Sequence, residues 1–194
     1  MEAARQHDLL SSFDAGGSFH EFLDQSGRLP LRADSTGILQ LNITRKCNLA
    51  CRHCHVEAGP EQSLHMLDAV FEQCIAVAGD SSIHTIDITG GAPELHPRFR
   101  ELIERLSPLN KRLLVRSNLS ILLESPHDQL PSFFTQHRVE LVASLPDTRG
   151  ERTDRQRGKG SFSRVIKAMQ QLNRLGYGRA GSGLILDLVH NPAG

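Results

Sequence analysis

The chain has 194 residues, 22 Lys+Arg against 22 Asp+Glu, and 39% hydrophobic residues, enough for a domain that buries its own core. Its formal charge of zero gives no global attraction to nucleic acid or to an anionic membrane, so neither is an expected partner. The opening MEAARQHDLLSSFDAGG has no basic start followed by an apolar run, and no stretch reaches the ~18 apolar residues of a membrane span. The expected compartment is the cytoplasm, where crowded thiols are more often metal ligands or catalysts than a disulfide framework.

In chain order, residues 1–37 are interrupted by Gly, Ser, Asp and Pro and are expected to form an N-terminal extension or cap; 38–194 then form one core domain. ILQLNI (38–43) predicts a first strand, followed at once by CNLACRHCH (47–55). LHMLDAVFEQCIAVA (64–78) predicts a helix in which Cys74 lies on the apolar stripe with Val70, Phe71 and Ile75, as a small core residue does. Then come strand IHTIDIT (83–89), helix PRFRELIERL (97–106), strand RLLVRS (112–117) and a short helical piece near SPHDQLPSFF (125–134). Strand RVELVAS (138–144) leads into the arginine-rich RGERTDRQRGKG (149–160), which reads as a solvated loop. Helix SFSRVIKAMQQLNRLG (161–176), closed by Gly176, and strand LILDLV (184–189) complete the series.

Strands alternating with helices predict an α/β fold, a parallel sheet with helices outside. The expected strand starts lie 26–46 residues apart, close to the ~30 per unit of an eight-unit barrel, which gives a partial (β/α) barrel of about five units. The sequence stops at HNPAG directly after the fifth strand, so the expectation is a C-terminally truncated piece of a longer protein with open sheet edges.

In such barrels the loops at the carboxyl ends of the strands build the active site. That face is expected to receive the cysteines, Thr89–Gly90–Gly91, Ser117–Asn118, Ser144 and His190–Asn191, a convergence that suits a small-molecule site. Cys47-x3-Cys51-x2-Cys54 supplies three sulfurs, and thiolates suit iron–sulfur clusters and zinc alike. A structural zinc needs four ligands, usually from two spaced pairs; His53 or His55 would have to fold back sharply beside Cys54 to provide the fourth. An iron–sulfur electron carrier and a zinc-binding module are the non-enzymatic alternatives. A four-iron cluster on three cysteines leaves one iron open to a substrate.

CNLACRHC resembles the Cx3Cx2C signature of the radical S-adenosylmethionine (SAM) superfamily. TGGAPE (89–94) resembles that family's glycine motif, and residues 139–178 resemble its fourth strand, loop and helix. More narrowly, PLRADSTGILQLNITRKCNLACRHCHVEAGP with TGGAPELHPRFR is similar to the radical SAM proteins of arsenosugar biosynthesis, which run longer and carry a C-terminal domain.

The resemblance implies that Cys47, Cys51 and Cys54 each bind one iron of a 4Fe-4S cluster, with the fourth iron chelated by the SAM methionine. Reductive cleavage would give a 5′-deoxyadenosyl radical, which in the arsenosugar relatives ends on a methylated trivalent arsenical; a peptide is the rival substrate. An electron donor such as flavodoxin or ferredoxin is implied. His53 would pack near the adenine, and Gly90 and Gly91 would let the backbone approach the ligand. The superfamily's third motif residue is often Glu, accepting from the methionine amino group; here it is Ala92, which leaves that contact to Glu94 or a backbone carbonyl. Ser144 and Asn118 would contact SAM, and Arg157 would pair with the methionine carboxylate, a bidentate geometry Arg provides better than Lys.

Overall fold

The computed structural model describes residues 5, 8, 9, 12, 17–32, 34–52 and 54–190; His53 and Asn191 lie outside the described residues. The chain divides into two compact units, 1–36 and 37–194. In the first, helix α1 (Phe19–Gln25) begins at Ser18, whose side chain accepts from the Glu21 amide while Glu21 reaches back to the Ser18 amide. This reciprocal cap satisfies two donors that a helix start otherwise leaves unpaired.

The second unit is built on five strands: β1 Ile38–Asn42, β2 Thr85–Thr89, β3 Arg112–Ser117, β4 Glu140–Ser144 and β5 Leu186–Val189. They pair in parallel in sequence order, the winding of a (β/α) barrel segment. Helices α2 (Asp68–Ala78), α3 (Phe99–Leu106), α4 (Leu130–Gln136), α5 (Gly150–Arg157) and α6 (Ser161–Arg174) occupy the connections. The ladders of β2, β4 and β5 begin two residues later than the apolar runs that predict them. Ile83, Val139 and Leu184 pack on the core before the ladders start, so these runs report burial as well as pairing.

Alternation divides the sheet into two faces. One carries Leu41, Ile86, Ile88, Leu113, Val115, Leu141 and Ala143, all in the main core with Phe71, Phe99, Phe134, Val165 and Leu172 from the helices. Tyr177, fully buried behind α6, donates its hydroxyl to the Val139 carbonyl at 2.7 Å. The other face is mixed: Gln40, Asp87 and Arg116 lie on it beside Leu114 and Val142. Among the described residues β1 pairs only with β2 and β5 only with β4, and Leu188 and Val189 of β5 are exposed.

One sequence expectation is corrected here: the arginine-rich run is not a loop, because residues 150–157 form α5. Only Thr153 and Arg157 of this helix are buried. They stand at i and i+4 on one face, a stripe too narrow to show as hydrophobic periodicity. No helix among the described residues is long and apolar enough to cross a membrane.

Candidate active site

The chain leaves β1 into a loop that doubles back on itself. The Cys47 amide donates to the Gly59 carbonyl at 3.1 Å, and the Gly59 amide donates to the Arg45 carbonyl at 3.2 Å. The loop is clamped to the segment after β2: Gly91 donates to the Thr44 carbonyl and Ala92 to the Lys46 carbonyl, each at 2.8 Å. A Cβ on Gly90 would lie 2.6 Å from the Thr44 carbonyl oxygen, and one on Gly91 would run into the Lys46 carbonyl oxygen. The paired glycines thus admit the backbone of the cysteine loop itself, closer than any side chain allows.

Cys47, Cys51 and Cys54 line one cavity of about 330 Å³ together with Gly90, Gly91, Asn118, Ser144 and Arg157. All four cysteines are free thiols, which removes a disulfide staple. Leu49 donates its amide to the Cys47 sulfur at 3.4 Å and Ala58 to the Cys54 sulfur at 3.3 Å. Burial pushes the Cys47 and Cys51 thiols up, while Arg157 opposes the shift at Cys51. Among the described residues no three His, Cys, Asp or Glu side chains gather closely enough to hold a single metal ion. A mononuclear zinc draws its ligands to within about 2.3 Å of one point, whereas a cluster spreads its thiolates over several irons.

Arg157 ends α5, 8% exposed, with Nε and Nη1 unpartnered among the described residues. Burial lowers its pKa, and the three thiols act against that. The helix is fixed at both ends. Thr153 donates its hydroxyl to the Asp147 carbonyl at 2.7 Å, and the cysteine loop docks on it through the Arg52 amide and the Gln156 carbonyl at 3.0 Å. Asp154 accepts from the amides of Gly160 at 2.7 Å and Phe162 at 2.9 Å, binding α5 to the start of α6. A buried guanidinium with unpaired donors is costly unless an anion meets it. Three thiols and an unsatisfied cation facing one cavity fit an anionic cluster with a carboxylate-bearing ligand.

Two other expected residues are turned differently from the expectation. Glu94 sits in the 3-10 turn Pro93–Leu95 and is 4% exposed. It is not on the wall shared by the thiols; it borders a second cavity and accepts from the Ser117 hydroxyl. Asn118 is on the thiol cavity wall, but its carboxamide is engaged by Cys47, Asn48, Ser120 and Ile121. Ser144 is on the wall at the end of β4.

Arg116 and Asp87 join the expected residues at this site. Arg116 borders the cavity and donates through Nε and Nη2 to Asp87 at 2.8–3.0 Å, and Gln40 adds a bond to the same carboxylate at 2.8 Å. The available signal was an opposite charge inside each of two neighbouring apolar strands.

Burial raises the Glu94 pKa to about 7 against the pull of Ser117. The folded state therefore keeps a proton that the unfolded chain releases near its ordinary value, and stability falls as pH rises from about 4.5 to about 7. The full loss is on the order of 3 kcal/mol. In urea titrations of the cluster-free protein at pH 5 and pH 8, Glu94→Gln is expected to remove this part of the slope; an unchanged slope refutes it.

The model of the Radical SAM superfamily matches residues 41–191. The chain belongs to the radical SAM superfamily. Members of that family use a 4Fe-4S cluster and SAM. The chain is 27% identical to the antilisterial bacteriocin subtilosin biosynthesis protein AlbA of Bacillus subtilis, over 68% of this chain and 29% of that protein. It is 26% identical to a GTP 3′,8-cyclase of a Synechococcus species, over 79% and 48%. Streptococcus suis SuiB bound to the precursor peptide SuiA shares the fold, with a TM-score of 0.62 at 17% identity, over 80% and 34%. This radical SAM chain thus spans less than half the length of these two curated relatives.

Proposed function

We propose that this chain carries the catalytic core of an enzyme in which Cys47, Cys51 and Cys54 hold a 4Fe-4S cluster and SAM occupies the adjoining cavity. The observation that carries this reading is Arg157, a buried guanidinium whose Nε and Nη1 have no partner among the described residues, on the wall shared with the three thiols. When bound, the pair supplies reductive cleavage of the sulfonium and an adenosyl group for transfer. The chain's own part is to bind and orient. Arg157 takes the methionine carboxylate, Ser144 the ribose or methionine portion, and Val142, Pro146 and Val189 give apolar walls that exclude water. Glu94 is bonded to Ser117 of the cavity wall and borders the second cavity, which favours a backbone carbonyl for the methionine amino group.

The acceptor we propose is a methylated trivalent arsenical, on the strength of CHVEAGP (54–60) and GGAPE (90–94). A peptide is the second reading, favoured by the likeness to AlbA and to peptide-bound SuiB. A flavodoxin or ferredoxin is the proposed electron source, and the cytoplasm, which keeps thiols reduced, the proposed compartment.

The test is anaerobic incubation of reconstituted protein with reductant, SAM and either a dimethylated arsenical or candidate peptides, followed by mass spectrometry. An adenosyl–arsenic product is expected. Product with peptide alone selects the second reading, and failure to bind SAM overturns both. Arg157→Leu is expected to weaken SAM binding by roughly tenfold or more, the worth of a hydrogen bond to a charged group, as read by equilibrium dialysis. Equal affinity removes Arg157 from the site.

A further inference from the structure

Asn118 directly follows β3, buried, on the wall of the thiol cavity. Its Nδ2 donates to the Cys47 sulfur at 3.6 Å and to Asn48 Oδ1 at 2.7 Å, and its Oδ1 accepts from the Ile121 amide at 3.2 Å and the Ser120 hydroxyl at 2.9 Å. The Ile121 N–H can only donate, so the oxygen of Asn118 must face it and the NH2 must face Cys47. Asn48 is fixed by the same logic. Its Nδ2 donates to Glu124 Oε1 at 2.9 Å; an ionised carboxylate can only accept, so Asn48 presents its oxygen to Asn118. Glu124 is in turn paired with Arg164 of α6. The result is a hydrogen-bond chain from a partly exposed ion pair through two carboxamides to one of the three sulfurs, in which the Asn118 amide donates one N–H toward Asn48 and Glu124 and the other toward Cys47.

We propose that this chain sets the reduction potential of the cluster: Asn118, oriented by the Ile121 amide, donates to the Cys47 thiolate, and Asn48, Glu124 and Arg164 are positioning residues that engage its second N–H and so hold the first against the sulfur. The inference rests on the reading that Cys47 is a cluster ligand. A donor to a cluster sulfur withdraws charge from the iron and favours the reduced, more negative state; hydrogen bonds to sulfur are among the protein's established means of moving this potential. Leu49 gives Cys47 a backbone donor that no side-chain substitution removes. Asn118 is the adjustable donor.

The test is an anaerobic redox titration, followed by electron paramagnetic resonance, of reconstituted protein without SAM. Asn118→Leu removes both N–H donors at similar volume. It is expected to make the potential more negative, so that at the wild-type midpoint the reduced-to-oxidised ratio falls about tenfold, or about 59 mV for one electron. Glu124→Gln keeps an acceptor but permits the Asn48 amide to turn, and is expected to shift the potential the same way by a smaller amount. Iron content separates the two levels of the argument. A wild type without iron defeats the cluster reading. Fully loaded variants with the wild-type potential defeat the tuning role, and a shift in Asn118→Leu with none in Glu124→Gln defeats the relay to the surface. Should Asn118→Leu fail to assemble a cluster, Glu124→Gln and Asn48→Ala decide the question by the same reading.

Discussion

Cys51→Ala is expected to hold at least about tenfold less iron than the wild type after anaerobic reconstitution. Loss of a residue that merely orients a ligand already costs about 10–100-fold in metal affinity, and Cys51 is proposed as a ligand itself. Its thiol is half-buried on the cavity wall, with Arg157 favouring the thiolate form. Without that sulfur one iron loses its protein ligand, and the site keeps two sulfurs beside a buried cation. The matched control is Cys74→Ala. Cys74 lies on α2 and packs against the main core, away from the thiol cavity, and its loss should leave iron and sulfide unchanged. Equal iron in Cys51→Ala and the wild type would refute the ligand assignment; equal losses in both variants would mean that iron reports folding rather than ligation.

The parts of this site that were legible in the sequence are those made by residues close together along the chain. Three cysteines within eight positions after an apolar run, and two glycines after the next, point to the end of the sheet at which the structure places them on one cavity wall. What was not legible depends on partners far apart. The bond between Asn48 and Glu124 spans 76 residues and that between Asn118 and Asn48 spans 70, and each of these polar residues taken singly looks like loop surface. The place of Glu94 depends on a 3-10 turn beginning at Pro93, which sets it on the second cavity against the Ser117 hydroxyl. The helix α5 was hidden by its own charge, since arginine is compatible with solvent on three sides and only the packing of Thr153 and Arg157 shows where the fourth side points. Arg116 and Asp87 stand between these cases: charges in the middle of adjacent strands are visible in the sequence, but their pairing needs the register.

Gly91→Ala is expected to be nearly as damaging to the cluster as loss of a cysteine, though it removes no ligand. The added methyl would run into the Lys46 carbonyl oxygen and lie 2.9 Å from the Ala58 Cβ. Neither atom is the free end of a flexible side chain, so backbone must yield. Overpacking of this kind costs about 1–3 kcal/mol, which the large apolar core across the sheet can absorb, and circular dichroism should show the α/β fold retained. The displacement falls on Lys46, the residue next to Cys47, and on Ala58, whose amide holds the Cys54 sulfur. Two of the three sulfurs therefore move while the fold stays. Gly59→Ala is the comparison that isolates the effect: Gly59 is in the same loop, yet a Cβ there meets nothing within 4 Å, and that variant should load iron normally. A Gly91→Ala protein with full iron and an unaltered cluster spectrum would show that the glycine segment does not hold the cysteine loop in register with the cavity.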